Sequence, residues 1–375
     1  MEKYKIAMIS DWYYPKIGGI EYALDSLARN LLLMGHEVHV ITRNQKGTDQ
    51  FTPAEGLTVI RLKGKSLDSR FLVPYAYKEL YDILKHGNYD IIHSHGLDSP
   101  MALLSLMFSR LLQIPTVITN HSLTGKSLIR IPLHMAGRFF LRYTDAVIAV
   151  SSAVQKDTGV MFKGPVYSIP NGVDVLASLT DDAIVLPDTN GKTMVTTVSR
   201  MTLKKGVSDI VKIAPELIER NPDLVFLMVG DGPLKKSLEK KVKNQGMENN
   251  FIFTGQVSRS VVFSLLERSD IFIMASRDEA FGIAILEAFA KKVPVVARDN
   301  SGVSDIITHG KTGFLVEDSG QMLEYLERLI EDQELRDILS ENAFSKLDEY
   351  KWQDVAKLTS DVYAELIHEK NSHFN

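Results

Sequence analysis

The sequence predicts an α/β protein made of two doubly wound domains in succession. Ten apolar runs of four to seven residues, rich in Val and Ile, alternate with segments long enough to form crossover helices. Such runs are typical of parallel strands that are buried on both faces of a sheet. A chain of 375 residues is also long for one hydrophobic core, which favours two domains.

The predicted strands fall into two groups of five along the chain. The first group is KIAMIS (5–10), VHVIT (38–42), DIIHS (90–94), TVIT (116–119) and AVIAV (146–150). The second group is MVTTVS (194–199), LVFLMVG (224–230), FIFTG (251–255), IFIMA (271–275) and VPVVA (293–297). The turn cluster SIPNGVD separates them, so we place the domains at 1–170 and 171–351. The last helix, 352–375, follows a long helical run, and its sequence leaves open a return onto the first domain.

Composition and charge exclude several classes of protein. The chain has no cysteine, which excludes disulfides and thiolate metal sites and fits a reducing compartment. No signal peptide is recognised, and the longest apolar stretch, 101–118, is interrupted by Arg110 and Pro115, so no membrane span is predicted. Residues 1–170 hold 19 Lys and Arg against 14 Asp and Glu, whereas the remainder holds 24 against 33. The first half is therefore basic (+5) and the second acidic (−9). The sequence contains no dense basic tract, so binding to nucleic acid is not predicted.

The loops that follow the strands carry the candidate binding residues. Ligands of open α/β sheets bind beyond the carboxyl ends of the strands, so two facing domains would bring both sets of loops to one interdomain cleft. After the first strand, Gly18 and Gly19 open an amphipathic helix whose backbone N–H groups could bind an anion. The alternative is an ordinary strand-to-helix turn. The pair is not a GxGxxG fingerprint, which disfavours a nicotinamide enzyme.

Basic residues and glycine turns in the second half predict a diphosphate site. Arg200 and Lys205 follow the first strand of that half in VSRMTLKKG, and the next strand leads into VGDGP with Gly230 and Gly232. Two cations and a helix N-terminus at one place would bind a diphosphate without a metal ion. Each signal alone also fits solvated surface. No Asp-x-Asp pair is present that would favour a metal site.

Three histidines lie at or just beyond strand ends in the first half. His93-Ser94-His95 lacks an evident third metal ligand, so we expect it to line a strand end, with a hydrogen-bonded structural histidine as the alternative. His121, in TNHSLTG, is a candidate for contacting a substrate hydroxyl. A capping histidine is the alternative for His121.

Two glutamates, Glu279 and Glu287, stand eight residues apart in EAFGIAILEAFA, with small and apolar residues between them. Burying a carboxylate without a partner is costly. Glu279 is predicted in a loop and Glu287 early in the next helix, where ionised carboxylates could accept hydrogen bonds from sugar hydroxyls. Surface glutamates in a first helical turn are the alternative, which fits Glu287 less well because Leu286 and Phe289 are close to it in sequence.

These motifs, in this order, resemble the GT4 family of retaining, nucleotide-sugar-dependent glycosyltransferases with the GT-B fold. The resemblance rests on GGIE, SRMTLKKG, GDGP and the E-x7-E of EAFGIAILE, and it extends from near residue 5 to near residue 320. The first half, with SDWYYPKIGGIE, IIHSHG and TNHSLTG, is most similar to the catalytic subunits of phosphatidylinositol N-acetylglucosaminyltransferases. The resemblance implies a metal-independent hexosyltransferase that takes a UDP- or GDP-sugar as co-substrate and needs no other cofactor.

The resemblance also implies a role for each matching residue. The donor diphosphate would be held, and stabilised as it leaves, by Arg200 and Lys205. Glu279 would bind the transferred sugar, Glu287 the ribose, and His121 would contact the sugar beside the reaction centre. No protein nucleophile is implied, because the acceptor would attack on the face that the nucleotide leaves. The donor-binding set is completed by Gly18, Gly19, Gly230, Gly232, Phe281 and Gly282.

A recurring basic residue in KSLIRIPLHMAGRFFLRYTD predicts an acceptor surface. Lys126, Arg130, His134, Arg138 and Arg142 recur every four residues, and like charges at this spacing repel on a helix. A lipid phosphate or an anionic membrane surface would offset that repulsion. The pattern therefore favours a lipid or phospho-polyol acceptor, with Arg130, Arg138 and Arg142 as the binding residues. We expect a cytoplasmic enzyme, free or peripheral on the inner face of the membrane; a solvated helix face is the alternative.

Two departures from the family pattern leave the donor open. Lys291-Lys292 stands where a glycine is usual, and SGVSD with Asp305 replaces GGxPE; both are expected to border the nucleotide site. Two other functions remain as alternatives. One is a non-catalytic GT-B subunit of a glycosyltransferase complex, against which the intact basic and acidic residues argue. The other is a nucleotide-sugar epimerase on the same fold.

Overall fold

The chain folds into two compact units. Unit 1 comprises Met1–Gly172 and Trp352–Asn375, and unit 2 comprises Val173–Lys351. The structure is a computed structural model that describes residues 2–15, 18–44, 52–63, 66–68, 71, 72, 74–123, 131–174, 189, 191–300 and 302–372. It describes the backbone alone for 66–68, 71, 72, 74, 75, 131–134 and 136.

A seven-stranded parallel sheet forms the centre of unit 1. The strands of this unit are β1 (Lys5–Ile9), β2 (Glu37–Arg43), β3 (Thr58–Leu62), β4 (Ser66–Asp68), β5 (Phe71–Leu72), β6 (Ile91–His95), β7 (Thr116–Asn120), β8 (Ala146–Ala149) and β9 (Val166–Ser168). The sheet has the order β3-β2-β1-β6-β7-β8-β9, and β4 and β5 pair separately. The strand order therefore reverses between β1 and β6, which is where open α/β sheets bind ligands. Every residue of the central strands β6 and β7 is buried.

Helices cover the sheet of unit 1, and the last helix of the chain is one of them. They are α1 (Gly19–Leu33), α2 (Pro74–His86), α3 (Pro100–Leu112), α4 (Ile131–Leu141), α5 (Ser152–Met161) and α12 (Trp352–Ser372). The indole N–H of Trp352 donates to the hydroxyl of Tyr22 over 2.8 Å, which fastens α12 to α1. Ser99 caps α3 by accepting the N–H of Ala102, and Pro100 follows it at the position where proline suits a helix start.

Unit 2 is built around a six-stranded parallel sheet of the order β12-β11-β10-β13-β14-β15. Its strands are β10 (Thr193–Val198), β11 (Leu224–Val229), β12 (Phe251–Gly255), β13 (Ile271–Met274), β14 (Val295–Arg298) and β15 (Phe314–Val316). Its helices are α6 (Val207–Arg220), α7 (Lys235–Asn244), α8 (Arg259–Glu267), α9 (Ile283–Ala290), α10 (Ser319–Glu331) and α11 (Gln333–Ser345). The strand order reverses between β10 and β13, as in a doubly wound sheet.

The predicted fold class is confirmed, and all ten predicted runs form strands of the two sheets. Three further strands of these sheets, β3, β9 and β15, have no predicted counterpart. All three lie at sheet edges. β9 and β15 are only three residues long, and no residue of β9 is fully buried. An edge strand has one hydrogen-bonded neighbour and needs less apolar sequence, so three of the four edge strands of these two sheets were missed, whereas the fourth, β12, was predicted.

Candidate active site

The loops after β10 and β13 meet where the strand order of unit 2 reverses. β10 and β13 are parallel neighbours, so their carboxyl ends deliver the two loops side by side. Lys205 Nζ donates to Glu279 Oε2 over 2.5 Å, and Lys204 Nζ donates to Asp278 Oδ2 over 2.9 Å. The backbone N–H of Arg277 also donates to the carbonyl of Lys204 over 2.7 Å. Two of the predicted site residues, Lys205 and Glu279, are therefore in direct contact.

Gly206 permits this close approach of the two loops. Its φ is +63°, in the left-handed region that favours glycine. A Cβ at this position would lie 1.9 Å from the carbonyl oxygen of Ala275, the residue that follows β13. No side chain fits there without moving backbone. The position of Lys205 against the second loop therefore depends on the glycine that follows it.

The contact between Lys205 and Glu279 leaves hydrogen-bonding capacity on both side chains. An ammonium group has three donors and a carboxylate has about four lone-pair sites, so one shared hydrogen bond uses only part of each. The two side chains are 28% and 15% exposed, which makes them accessible to a ligand. The pair can thus offer N–H donors to phosphate oxygens and an oxygen acceptor to a hydroxyl in the same place.

Arg200 lies in the loop after β10, and its side chain is exposed. This loop rests on the glycine turn after β11, because the N–H of Met201 donates to the carbonyl of Asp231 over 2.8 Å. A Cβ on Gly230 or Gly232 would lie 2.2 Å or 2.4 Å from backbone oxygens of the Arg200 loop. The structure therefore brings the predicted glycines beside Arg200. The two loops pack so closely that no side chain fits at either position, which explains why both residues are glycine.

Glu287 is buried in α9 and is paired with an arginine that the sequence analysis missed. It is the fifth residue of α9 and is 6% exposed, and its Oε1 lies 2.8 Å from Nη2 of Arg259. Burial raises the pKa of the Glu287 carboxyl, and the charge of Arg259 opposes that shift. Arg259 is the first residue of α8, where an arginine is ordinarily solvated. Its pairing follows from the packing of α8 on α9, which no local sequence signal reveals.

Phe281 and Gly282 shape the start of α9. Gly282 is the N-cap with a φ of +106°, which a residue with a side chain rarely adopts. Phe281 is 3% exposed, and its ring centroid lies 6.0 Å from that of Tyr350 in the same unit. The described contacts of Phe281 are thus with protein, and its role in donor binding stays a prediction.

The start of α1 in unit 1 offers backbone donors, but a carboxylate already lies beside them. Gly18 is the N-cap without a side-chain hydrogen bond, and Gly19 is the first helical residue. Glu21 is buried, and its Oε2 lies only 2.4 Å from the position that a Cβ on Gly18 would take. An acidic group is favourable at a helix N-terminus. A phosphate at Gly18 and Gly19 would therefore meet the carboxylate of Glu21.

Three histidines of unit 1, named here the histidine cluster, stack at the carboxyl ends of β6 and β7. The ring centroids of His93 and His95 are 4.2 Å apart, and those of His95 and His121 are 5.4 Å apart. His93 Nδ1 lies 2.5 Å from the hydroxyl of Tyr363, and its Nε2 lies 2.6 Å from that of Thr119. His95 Nδ1 lies 3.1 Å from His121 Nε2.

Burial favours the neutral form throughout the histidine cluster. Removal from water lowers the pKa of His93 to about 3 and the pKa of His121 to about 4. It also lowers the pKa of His95 well below its usual range, and the two neighbouring imidazoles act in the same direction. His93 has the contacts of a structural histidine, since both of its nitrogens meet protein hydroxyls. His95 differs, because its described hydrogen bond is to His121.

The predicted basic stripe lies only partly within the described residues. Lys126 and Arg130 lie outside them, as does the side chain of His134. Arg138 on α4 and Arg142 just beyond it are exposed. Met135 and Phe139 of the same helix are 69% and 43% exposed, and the guanidinium of Arg142 lies 4.1 Å from the ring centroid of Phe139. The described part of this surface therefore combines exposed apolar and basic groups.

The expectation that Lys291 and Lys292 border the donor loops is wrong. The Glu279 loop lies at the carboxyl edge of the sheet of unit 2, and α9 leads the chain away from it. Lys291 caps the far end of α9, and Lys292 precedes β14, so both lie towards the amino ends of the parallel strands. The other departure, SGVSD, does border the loop: a Cβ on Gly302 would lie 2.2 Å from the carbonyl oxygen of Glu279.

Neither a metal-binding group nor a membrane-spanning helix is found among the residues that the structure describes. Among these residues, no three His, Asp or Glu side chains come together in a group that could hold a metal ion. No helix in this part of the chain combines the length and the apolar composition needed to cross a membrane.

The chain is similar along most of its length to characterised families and proteins. Residues 17–175 match the family described as Glycosyltransferase Family 4, and residues 182–346 match the family described as Glycosyl transferases group 1. The chain is 30% identical to a subunit of the phosphatidylinositol N-acetylglucosaminyltransferase of Arabidopsis thaliana, over 96% of this chain and 82% of that protein. It is 25% identical to the alpha-monoglucosyldiacylglycerol synthase of Acholeplasma laidlawii, over 99% of both.

Solved structures are similar over nearly the full chain. The sucrose-phosphate synthase of Thermosynechococcus elongatus has a TM-score of 0.80 at 21% identity and covers 98% of this chain and 100% of its own. The Anabaena protein HepE in complex with UDP-glucose has a TM-score of 0.81 at 20% identity, over 96% of this chain and 100% of its own. At such identities the likeness shows the fold alone, and it confirms the predicted GT-B fold.

Proposed function

The chain belongs to the group 1 and family 4 glycosyltransferases, and we propose that it is a retaining enzyme that moves a sugar from a UDP- or GDP-sugar to a hydroxyl acceptor. The observation that supports the proposal most is the contact of Lys205 with Glu279 at the strand-order reversal of unit 2. A cation and a carboxylate held together there match a sugar diphosphate, which presents anionic phosphate next to hydroxyl groups.

The proposed reaction needs little covalent chemistry from the protein. The acceptor oxygen forms a bond to the anomeric carbon while the bond from that carbon to the diphosphate oxygen breaks. The nucleoside diphosphate leaves with the electron pair and takes up the acceptor's hydroxyl proton. Lys205 and Arg200 would stabilise the charge that develops on the diphosphate, and Glu279 and Glu287 would position the sugar and the ribose. Such catalysis depends on positioning and charge stabilisation.

A donor panel tests the proposed function. Purified protein is incubated with UDP-, GDP- and ADP-sugars, and release of the nucleoside diphosphate is followed together with formation of product. Transfer with an unchanged anomeric configuration, read from the proton coupling constant of the product, supports the proposal. Interconversion of donor sugars without transfer would identify an epimerase. Absence of turnover with every donor, despite donor binding, would favour a non-catalytic subunit.

We expect turnover to persist after divalent metal ions are removed. Arg200 and Lys205 supply positive charge at the proposed diphosphate site, and fixed charges of this kind stabilise a leaving group in place of a metal ion. The rate of donor consumption is measured before and after treatment with EDTA and dialysis, with the metal content of the sample determined in parallel. Complete loss of turnover that Mn²⁺ or Mg²⁺ restores would contradict the prediction.

We further propose that the acceptor is a lipid or a phospho-polyol and that α4 of unit 1 meets an anionic membrane surface. The support is the exposed mixture of Met135, Phe139, Arg138 and Arg142 on one segment, since apolar and basic groups together suit a headgroup interface. The names of the similar proteins from Arabidopsis thaliana and Acholeplasma laidlawii both describe sugar transfer to a lipid. The net charge of +5 over residues 1–170 agrees with such a surface.

Flotation with liposomes tests the membrane surface. We expect the protein to bind vesicles that contain anionic lipid, to bind neutral vesicles less, and to be released as salt rises. Replacing Arg138 and Arg142 by Glu should abolish binding, since each basic residue near an anionic surface contributes about 1 kcal/mol. The matched control reverses Lys236 and Lys240, two exposed lysines on α7 of unit 2. Equal loss in both double variants would mean that net charge, and not the α4 segment, governs binding.

A further inference from the structure

The hydrogen bond between His95 and His121 follows from the register of two neighbouring strands. β6 and β7 are parallel, and His95 is paired with Thr119 across them. His121 lies two residues beyond Thr119 and brings its Nε2 to 3.1 Å from Nδ1 of His95. The planes of the two rings are nearly parallel, with 17° between them. His95 is 1% exposed, whereas His121 is partly exposed.

This hydrogen bond requires one hydrogen between two imidazole nitrogens, so only two arrangements of neutral rings are possible. In the first, His95 carries its hydrogen on Nδ1 and donates it to a bare Nε2 of His121. In the second, His121 donates from Nε2 to a bare Nδ1 of His95. A neutral imidazole carries one hydrogen only, so each arrangement also fixes the remaining nitrogen of both rings.

Burial of His95 distinguishes the two arrangements. Its Nε2 is buried and has no hydrogen-bond partner among the described residues. In the second arrangement this atom would be an N–H donor without an acceptor, and buried orphaned N–H groups are rare and costly. In the first arrangement Nε2 of His95 carries no hydrogen and is an acceptor without a donor, which is tolerated more often than a buried N–H group without an acceptor. The first arrangement is therefore favoured, and it leaves the hydrogen of His121 on Nδ1.

We infer that His95 is a positioning residue that holds His121 as the Nδ1–H tautomer, so that the partly exposed ring offers an N–H donor to a substrate hydroxyl. This inference rests on the proposed function for what His121 meets, but the tautomer itself does not depend on it. His121 Nδ1 has no hydrogen-bond partner among the described residues, so its hydrogen is available to a ligand. His93 supports the arrangement from the other side, since its ring stacks on His95 and is fixed by Tyr363 and Thr119.

The first arm of the test reads the tautomer directly and needs no substrate. Protein with ¹⁵N-labelled histidine is studied by long-range ¹H–¹⁵N correlation NMR at neutral pH, and signals are assigned from His95→Asn, His121→Asn and His93→Asn variants. We expect the hydrogen on Nδ1 of both His95 and His121. A hydrogen on Nε2 of His121 in the unaltered protein would overturn the inference. This outcome is separable from failure to find a donor sugar, which would affect the proposed function alone.

The second arm reads the consequence for turnover. His95→Phe removes the donor and keeps a ring of similar size, whereas His95→Asn keeps an N–H donor close to the position of Nδ1. Loss of a partner that orients a metal-bound histidine lowers activity about 10- to 100-fold. By analogy, kcat should fall by that factor in His95→Phe, with the KM for the donor sugar little changed. His95→Asn should recover most of the loss. His86→Gln, an exposed histidine of α2, is the matched control and should behave like the unaltered protein.

Three results are decisive among folded variants, whose stability is checked by urea unfolding. Phe and Asn variants that lose kcat equally would mean that the donor at this position is irrelevant, which overturns the inference. A Phe variant with unaltered kcat would do the same. If the Phe variant does not fold, the tautomer of the unaltered protein and the kinetics of His95→Asn still test the inference. A kcat reduced more than tenfold in His95→Asn would then overturn it, because the remaining N–H donor should preserve most of the activity.

Discussion

Replacing Lys205 by Ala should lower kcat by about 10²-fold or more, the scale of loss seen when one group that stabilises transition-state charge is removed. The ammonium group lies at the strand-order reversal of unit 2 and gives one of its donors to Glu279. Its other donors would meet a diphosphate whose charge grows as the bond to the sugar breaks. Since that interaction strengthens in the transition state, the loss should fall on kcat more than on KM.

The control for this prediction is a second lysine–glutamate pair of the same unit. Lys292 Nζ lies 2.6 Å from Glu341 Oε1, and both side chains are exposed. Lys292→Ala should leave kcat within the error of the assay. Lys205→Arg tests whether charge alone suffices, and it should recover part of the rate because the guanidinium keeps the charge but not the compact geometry of the ammonium. A Lys205→Ala variant that is folded and turns over at the normal rate would refute the proposed role.

Much of the fold follows from sequence because the central strands are buried on both faces. β6, β7 and β11 have no exposed residue. β11 is an unbroken apolar run, and β6 and β7 have apolar or β-branched residues in all but a few positions near their carboxyl ends. The edge strands β3, β9 and β15 lack this signal, and strand pairing at an edge depends on the neighbour more than on the strand's own sequence. The order of strands in each sheet likewise depends on tertiary packing, which the alternation of strands and helices does not fix.

In the candidate site, too, residues could be predicted where local sequence places them, but their partners from distant segments could not. Residues that follow strands, such as Arg200, Lys205 and Glu279, could be found because loops beyond the carboxyl ends of parallel strands are where ligands bind. The partners of buried groups could not be found in this way. Arg259 meets Glu287 only because α8 packs on α9, and His95 meets His121 only because β6 and β7 are in register. These contacts join segments that are far apart in sequence.

Replacing Glu287 by Ala should lower the free energy of unfolding of unit 2 by about 3 kcal/mol, the lower end of what breaking a buried ion pair costs, because Arg259 is 24% exposed. The change leaves the guanidinium without its carboxylate in a largely buried position. Arg259→Ala should have a similar effect, and the double variant should lose much less than the sum. The matched control is Glu341→Ala, which breaks an exposed pair and should cost less than about 1 kcal/mol.

The kinetic role of Glu287 must therefore be read from Glu287→Gln, which keeps an acceptor for Arg259 and most of the packing. We expect the KM for the donor to rise roughly tenfold, because a hydrogen bond to a charged acceptor contributes about 1.5–3 kcal/mol and an amide retains part of it. Ribose contacts would be equal in the ground and transition states, so kcat should change little. Initial rates over a range of donor concentrations measure both constants. A loss of kcat as large as that of Lys205→Ala, at unaltered KM, would place Glu287 at the reacting sugar and not at the ribose.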